Sequence, residues 1–423
     1  MQVFKFGGAS VKDALAIQNV ANILQNYRNE KLVIIISAMG KTTNALEAIC
    51  EAYSKQNGLA HDLLDQLRVQ HRNIVQQLFD DQSAATTAQE KLATILDKIT
   101  KRLNQAPLAD YNFLYDQIVS TGELLSTTLI ADYLATQGLP VQWLDVRHCI
   151  LTDNTYREAK VNWSVSPKNI QATVKPIINE GKMVVTQGFL GGTIEKFTTT
   201  LGREGSDFTA AIFAHSLDAN SMSVWKDVPG ILSADPRLFA DALKIPELSY
   251  YEAIEMTYYG AKVIHPKTIK PLQNKGIPLI VRSFSLPHET GTIIHHSNGL
   301  AMPPVVVINK NQLLLSITTK DFSFIAEENL SRIYQLFAKH HIKINLSQNA
   351  AISFSVCIDN VPYKVIPLIN DLSSEYKVVS KKDLQLLTIR HHTPESIERH
   401  SKDLTIVVVQ KSKNTVQWVI QNT

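Results

Sequence analysis

The sequence has few cysteines and little net charge, and each shortage excludes a class of protein. Its three cysteines, Cys50, Cys149 and Cys357, lie far apart and form no CxxC pair. This excludes a disulfide framework and a cysteine-rich zinc site. Lys and Arg number 42 against 39 Asp and Glu, a formal net charge of +3. So small and dispersed a charge gives no reason to expect binding to nucleic acid or to an anionic membrane.

Long hydrophobic runs are also missing. The longest, near 32–36 and 406–409, are far shorter than the roughly 20 residues that cross a bilayer. The first six residues contain no basic stretch followed by an apolar run, so we expect no secretory signal. With 44% hydrophobic and 19% charged residues, the chain can nevertheless bury a large core. We therefore expect a globular enzyme of the cytoplasm.

The first 300 residues alternate short apolar runs with longer helical patterns. Several runs are continuous and rich in β-branched residues, which is typical of strands covered on both faces. This predicts an open, mainly parallel α/β sheet, whose ligands usually bind beyond the carboxyl ends of the strands. The predicted strands are 3–6, 32–37, 140–145, 183–189, 222–226 and 277–284.

A helical insertion at about 45–105 interrupts this alternation. Its apolar residues recur at helical spacing on two faces, separated by the polar segment 80–88, and we expect them to serve core or subunit packing. The two predicted faces are Leu63, Leu67, Ile74 and Leu78, and Leu92, Ile95, Ile99 and Leu103.

The pattern changes after a Gly- and Pro-containing linker at 295–304. Short units then follow in βαββαβ order, which predicts a ferredoxin-like α+β module at 305–383. A partial second copy follows at 384–423, so we predict a first domain at 1–296 and two smaller modules. The predicted units are strand 313–318, helix 328–340, strands 342–346 and 351–358, helix 363–373 and strand 377–380, then strand 384–389, helix 394–400 and strands 404–409 and 416–420.

The first chemical signal is Lys-Phe-Gly-Gly-Ala-Ser at 5–10, where a strand ends and a helix begins. Paired glycines let backbone N–H groups approach an anion, and Lys5 adds a positive charge. The alternative is a tight turn in which Ser10 caps the helix. A second segment, 37–44, contains Gly-Lys-Thr, which resembles the end of a phosphate-binding P-loop. The first glycine of a P-loop would have to be residue 35, which is Ile35, so this interpretation fails. The segment is rich in hydroxyls and suits a small polar substrate.

Two further segments have both a structural and a chemical interpretation. Ser-Thr-Gly-Glu at 120–123 has the spacing of a capping box, which alone favours a structural role for Glu123. In Leu-Gly-Arg-Glu-Gly-Ser-Asp at 201–207, Arg203 offers a planar fork to a carboxylate or phosphate. Asp207 is suited to orient Lys5 or to help hold a metal; the less favoured alternative is a Gly-rich turn in which Ser206 or Asp207 caps a helix.

The last two segments contain basic residues that suit the phosphates of a nucleotide. Lys226 and Asp227 end a predicted strand before a Pro-Gly turn, Arg237 follows on a second loop, and Lys262 stands near a helix end. The alternative for Arg237 or Lys262 is a solvated charge. No histidine has partners at metal-ligand spacing, so we assign no metal ligands.

Taken in order, these six segments resemble the aspartokinases of the amino acid kinase family. The likeness is strong from residue 1 to about 290 and weaker beyond, where that family has paired ACT modules. It favours the chemical interpretation of each segment over a plain turn, cap or solvated charge. The resemblance implies the amino acid kinase fold, a sheet sandwiched by helices, followed by ferredoxin-like ACT modules and a homodimer formed through them.

The resemblance implies phosphorylation of the L-aspartate β-carboxylate by ATP with Mg²⁺, giving 4-phospho-L-aspartate, the first step of lysine, threonine and methionine biosynthesis. Among the aspartate-binding residues, it implies that Glu123 meets the ammonium and Arg203 the α-carboxylate. The implied catalytic residues are Lys5, Gly8, Ser37 and Asp207; the implied aspartate-binding residues are Thr43, Glu123, Arg203 and Ser206. The implied ATP-binding residues are Lys5, Gly7, Gly8, Ser10, Lys226, Asp227, Leu232, Arg237, Lys262 and Val263.

The sequence departs from the family pattern at several places. Ala9 replaces a usual Thr or Ser, and Glu204 replaces a frequent Gly and is expected to point outward. Lysine-inhibited relatives resemble Asp-Leu-Ile-Thr-Thr-Ser-Glu where residues 345–351 are Asn-Leu-Ser-Gln-Asn-Ala-Ala. The acidic group that would pair with an amino-acid effector is missing. We therefore predict weak or absent inhibition by lysine, and C-terminal modules that serve mainly for assembly.

Three other functions remain to be weighed. Kinases of acetylglutamate, glutamate or UMP share the fold but lack the helical insertion and the tandem modules. A non-catalytic amino-acid sensor is disfavoured because the charged groups at Lys5, Glu123, Arg203 and Asp207 are all present. We expect no fused homoserine dehydrogenase, since no dinucleotide fingerprint appears in the sequence.

Overall fold

The computed structural model describes residues 1–106, 110–261, 264–321 and 323–421. These residues form two compact units. The first comprises 1–231, 246–254 and 264–300, and the second comprises the described residues of 232–245, 255–263 and 301–423. The boundary near residue 300 falls in the predicted linker. Among the described residues, no helix combines the length and the apolar character needed to cross a membrane.

Helices and strands alternate along the first 300 residues. In chain order, the helices of the described residues are α1 (Ala14–Gln25), α2 (Thr42–Ser54), α3 (Ala60–Leu78), α4 (Gln82–Leu103), α5 (Tyr111–Val119), α6 (Thr121–Thr136), α7 (Ser166–Asn179), α8 (Gly205–Ser216), α9 (Tyr250–Tyr258), α10 (Pro266–Gln273), α11 (Glu327–Lys339), α12 (Pro362–Glu375) and α13 (Pro394–Ser401). Short 3₁₀ helices lie at Gly8–Val11 and Val146–His148.

The strands, in the same order, are β1 (Gln2–Phe6), β2 (Leu32–Ile36), β3 (Val141–Leu144), β4 (Met183–Gln187), β5 (Leu190–Gly192), β6 (Thr198–Thr200), β7 (Ser221–Lys226), β8 (Ile231–Leu232), β9 (Lys244–Ile245), β10 (Glu247–Ser249), β11 (Leu279–Ser283), β12 (Thr292–His295), β13 (Val305–Thr319), β14 (Ile344–Asn349), β15 (Ser353–Asp359), β16 (Tyr376–Arg390), β17 (Ile406–Lys411) and β18 (Thr415–Gln421). The six strands predicted in the first unit are all present.

A mainly parallel sheet forms the centre of the first unit. Its described strands run in the order β10-β12-β11-β7-β1-β2-β4-β3, and only the β11–β12 pair is antiparallel. All residues of β2 and β4 are buried, as expected of strands with helices on both faces. The predicted fold class is confirmed. Because β1 lies parallel between β2 and β7, the loops that follow these three strands meet at one edge of the sheet.

The helical insertion consists of α2, α3 and α4, and its predicted apolar residues are buried or half-buried. The segment 80–88, expected to separate two helices, is mostly helical. Asp81 accepts hydrogen bonds from the N–H groups of Ser83 and Ala84 at 3.3 and 3.0 Å, so α4 begins at Gln82. An acidic N-cap starts this helix earlier than its apolar spacing indicates.

The second unit contains an antiparallel sheet whose described strands run β14-β15-β13-β16-β18-β17. Elements β13 to β16 follow the predicted βαββαβ order, and the inward side chains of β13 pack with Ile333, Phe337 and Leu368 of the helices. The predicted strands 377–380 and 384–389 are wrong as separate elements, because β16 runs through both. At Asp383 the backbone has φ +58°, and the pairing with β13 shifts register nearby.

Candidate active site

A cavity of about 680 Å³ lies at the carboxyl edge of the parallel sheet. Most of its lining side chains are polar or charged, as in a site for a small polar ligand. The lining residues are Lys5, Ser37, Thr43, Asn112, Tyr115, Glu123, Thr155, Tyr156, Arg157, Glu158, Phe189, Gly202, Arg203, Glu204, Gly205, Ser206 and Asp207.

A nearly buried ion pair lies in this cavity. The Nζ of Lys5, in β1, lies 2.6 Å from Oδ1 of Asp207, and their side chains are only 12% and 6% exposed. Burial alone would raise the pKa of Asp207, but the charges of Lys5 and Lys226 outweigh it and hold that pKa below its usual value. Asp207 is therefore ionised and fixes Lys5. It lies in the first turn of α8, whose N-cap is Glu204, so Asp207 is not the helix cap.

Lys226 adds a third charge to this group. It ends β7 beside β1, where burial lowers its pKa and the charge of Asp207 opposes that effect. Lys5, Lys226 and Asp207 together carry one net positive charge, which favours an anionic group such as a phosphate beside them. Asp227, the next residue, is exposed.

The turn after β1 needs glycine at position 8. A Cβ on Gly8 would lie 2.8 Å from the carbonyl oxygen of Ala38 and 3.2 Å from that of Gly40. The N–H of Gly40 donates to the Gly8 carbonyl at 3.0 Å, so the loops after β1 and β2 are in direct contact. Ser10 does not cap the helix, since its buried hydroxyl donates to the carbonyl of Trp225 at 3.3 Å.

Glu123 is buried with one carboxylate oxygen unused. Oε1 accepts from the N–H of Ala38 at 3.2 Å, whereas Oε2 has no hydrogen-bond partner among the described residues. Burial raises the pKa of Glu123 to about 8. Ser120 makes no side-chain cap bond, so the capping-box alternative is wrong. A buried carboxyl that lines a cavity and has one oxygen without a partner is suited to bind a cation.

The loop before α8 supplies another wall of the cavity. Arg203 is exposed there, and Glu204 has a left-handed backbone with φ +54°. The expectation that Glu204 points away from the site is wrong. Its Oε2 accepts from the N–H of His265 at 3.0 Å, and its side chain lines the cavity.

The other predicted residues fall into three groups. Ser37, Thr43 and Ser206 line the cavity, and Gly7 follows Lys5 directly. Leu232 and Arg237 belong to the second unit, where Leu232 is half-buried and the exposed Arg237 pairs with Asp235 at 2.6 Å. The predictions for Lys262 and Val263 lie outside the described residues.

Sequence patterns missed one side of the cavity. Asn112 and Tyr115 of α5 and the segment 155–158 line it, yet none belongs to a recognisable motif. The polar run Asp-Asn-Thr-Tyr-Arg-Glu at 153–158 was the available signal. Throughout the described chain, no three His, Cys, Asp or Glu side chains gather in a way that would hold a metal ion.

Comparison with known proteins identifies the family. Residues 1–283, which include every residue lining the cavity, match the amino acid kinase family. The chain is 34% identical to the lysine-sensitive aspartokinase 3 of Escherichia coli, over 84% of this chain and 78% of that protein. The chain belongs to the aspartokinases of the amino acid kinase family. Within these aspartokinases, it is also 30% identical to Arabidopsis thaliana aspartokinase 1, of which it spans 63%.

Solved aspartokinase structures share the fold along the whole chain. The structure of E. coli aspartokinase III in complex with aspartate and ADP superposes with a TM-score of 0.83 at 28% identity, covering 100% of this chain and 96% of that one. The Clostridium acetobutylicum aspartate kinase gives a TM-score of 0.78 at 22% identity, with the same coverage, and supports the fold alone. The amino acid kinase fold with a C-terminal antiparallel sheet is therefore confirmed.

Proposed function

We propose that the protein is an aspartate kinase, which transfers the γ-phosphoryl group of Mg-ATP to the β-carboxylate of L-aspartate. The main support is one cavity that combines the buried Lys5–Asp207 pair, the unpaired oxygen of Glu123 and the guanidinium of Arg203. These groups match a phosphoryl group, an ammonium and a carboxylate. The relative from E. coli was solved with aspartate and ADP.

The aspartate is held by its two charged ends. Oε2 of Glu123 accepts from the substrate ammonium, and Arg203 binds the α-carboxylate through its planar fork. The hydroxyls of Thr43 and Ser206, in the first turns of α2 and α8, complete the contacts. This arrangement turns the β-carboxylate towards Lys5.

Phosphoryl transfer then needs positioning and charge neutralisation rather than a nucleophilic side chain. A β-carboxylate oxygen attacks the γ-phosphorus, a new O–P bond forms, and the bond to the leaving ADP oxygen breaks. Lys5, fixed by Asp207, neutralises charge on the transferring group with Lys226. N–H groups of the Gly7-Gly8 turn and the hydroxyl of Ser37 lie at the same end.

We assign the rest of the nucleotide site to Ser10, Asp227, Leu232, Arg237, Lys262 and Val263, as the family resemblance implies. Mg²⁺ enters as part of Mg-ATP, with the phosphates as its main ligands. The product, 4-phospho-L-aspartate, supplies lysine, threonine and methionine biosynthesis. We place the enzyme in the cytoplasm, where its three buried free cysteines remain reduced.

We also propose a domain division and an oligomeric state. The catalytic domain is 1–296, and the modules 305–383 and 384–423 assemble a homodimer. In the sheet of the second unit, β14 and β17 each have a single strand neighbour among the described strands. Their outer edges offer backbone groups to a second copy.

The role of Lys5 is tested by its replacement. Lys5→Ala removes the charge that neutralises the transferring phosphoryl group, so we expect kcat to fall at least about a hundredfold. Lys31→Ala, an exposed lysine of the first unit, serves as the matched control and should leave kcat unchanged. The acyl phosphate is trapped as its hydroxamate in both variants. Undiminished turnover in Lys5→Ala would refute this mechanism.

A further inference from the structure

A second arginine lines the candidate active site beside Arg203. Arg157 belongs to a segment that no motif marks, and its side chain is exposed at the cavity. Among the described residues, no carboxylate lies within ion-pair distance of either guanidinium. Two arginines without acidic partners in one cavity of about 680 Å³ are expected to bind an anion.

The backbone at Arg157 is held in an uncommon conformation. Its φ is +70°, in the left-handed region that residues other than glycine rarely occupy. The N–H of Arg157 donates to both carboxylate oxygens of Asp116, at 3.2 and 3.0 Å. Such conformations persist where the surroundings fix them, and they are concentrated at functional sites.

Asp116 fixes both loops that present an arginine. It is fully buried in α5 and also accepts from the N–H and the hydroxyl of Thr200 at 2.8 and 2.7 Å. Thr200 ends β6, three residues before Arg203. Burial raises the pKa of Asp116 to about 6, so it is ionised at neutral pH and acts only as an acceptor. One carboxylate thus sets the positions of Arg157 and Arg203 together.

The side chain of Arg157 is oriented as well. Its guanidinium carbon lies 4.4 Å from the centroid of the Tyr115 ring, and the Tyr115 hydroxyl donates to Glu47 at 2.6 Å. Stacking on an aromatic face holds the guanidinium plane while leaving its N–H edge free for an acceptor. Tyr115 lines the same cavity, so that edge is available to a ligand.

We propose that Arg157 is a second substrate-binding residue, which holds the β-carboxylate of the acceptor while Arg203 holds the α-carboxylate, and that Asp116 is its positioning residue. The proposal rests on the proposed aspartate kinase function. A pair of arginines selects a dicarboxylic amino acid, because a substrate with one carboxylate leaves one guanidinium unused. Arg157 also reduces the repulsion between the attacking carboxylate and the phosphoryl group.

The test compares Arg157→Gln and Arg157→Lys with Arg28→Gln. Arg28 is exposed, and among the described residues its side chain donates only to the carbonyl of Gly138. We expect Arg157→Gln to raise the KM for L-aspartate by about tenfold or more, with the KM for ATP and the Tm unchanged. Arg157→Lys should recover part of the loss, and Arg28→Gln should match the wild type. An unchanged KM for aspartate in Arg157→Gln would overturn the proposal.

L-Aspartate α-amide identifies which carboxylate is bound, because it keeps the β-carboxylate and lacks the α-carboxylate. We expect Arg157→Gln to raise the KM for this substrate as it does for L-aspartate. If Arg157→Gln leaves the KM for the α-amide unchanged, Arg157 binds the α-carboxylate and the assignment is overturned. Asp116→Asn should raise the KM for aspartate, because it releases the loops of both arginines. Since part of that effect acts through Arg157, the double variant should lose less than the two single effects combined; fully additive effects would refute the positioning of Arg157 by Asp116.

Failure of the proposed function is distinguishable from failure of this inference. A wild type that forms no acyl phosphate from aspartate contradicts the aspartate kinase function itself. Calorimetric titration of L-aspartate into wild type and Arg157→Gln then still measures the role of Arg157. Weaker binding by the variant supports the arginine pair, and equal affinity overturns it.

Discussion

At the residue scale, the chemistry of the site depends on how burial and charge act on three carboxyl groups. Asp207 keeps its charge because Lys5 and Lys226 outweigh its burial. Oε1 of Glu123 accepts from the N–H of Ala38, Oε2 has no hydrogen-bond partner among the described residues, and burial raises the pKa of Glu123 to about 8. Asp116 is satisfied by N–H and hydroxyl donors. The carboxyl with an unpartnered oxygen, Glu123, is therefore the one expected to meet the substrate ammonium.

The raised pKa of Glu123 predicts a pH dependence. Below about pH 8 the free enzyme holds this carboxyl protonated, so aspartate binding must displace a proton. We expect kcat/KM for aspartate to rise with pH up to about 8 and then to level. Glu123→Gln should use aspartate poorly and lose this inflection. A profile without the inflection in the wild type, or one that Glu123→Gln retains, would contradict the assignment.

The same pKa also predicts an effect on stability. A pKa that folding raises from 4.5 to about 8 means that ionisation of Glu123 destabilises the folded state increasingly from pH 4.5 to 8, by about 1.4 kcal/mol per pKa unit at most. Glu123→Gln removes this cost. Without substrate, its Tm should exceed that of the wild type at pH 9 and match it near pH 4.5. A lower Tm at pH 9 would contradict the burial argument.

At the scale of elements, continuous apolar strands were predictable and short ones were not. β1, β2 and β4 are runs of buried β-branched and aromatic residues, whose composition identifies them. β5 and β6 are three-residue strands that contain Gly-Gly and Thr-Thr-Thr and have no periodicity. The sequence predicts two strands where β16 is one, because the charged Lys-Lys-Asp at 381–383 resembles a turn. In the structure, its pairing with β13 continues across that stretch with a register shift.

The residues of the site also differ in whether the sequence could predict them. Lys5, Glu123, Arg203 and Asp207 lie in segments with recognisable glycines or hydroxyls, and the structure brings all four into one cavity. The wall that contains Arg157 depends on α5 and on a loop far from it in sequence, joined through Asp116. Such a contact exists only after folding, so no spacing in the sequence could predict it.

At the scale of the whole molecule, the C-terminal sheet raises the question of regulation. β14 (Ile344–Asn349) and the two residues that follow it contain no acidic side chain, although the relative from E. coli is lysine-sensitive. We predict a dimer in light scattering both with and without lysine. Aspartate kinase activity should fall by less than about twofold at millimolar lysine. A monomer, or strong inhibition at low-millimolar lysine, would contradict this account of the second unit.

The central claim is that this cavity phosphorylates the β-carboxylate of L-aspartate. It is tested most directly by ³¹P NMR of the wild-type enzyme with Mg-ATP and L-aspartate, with N-acetyl-L-glutamate, L-glutamate and UMP in parallel samples. We predict an acyl phosphate resonance together with ADP in the aspartate sample alone. No acyl phosphate with aspartate, or an equal or larger product signal from another acceptor, would contradict the claim.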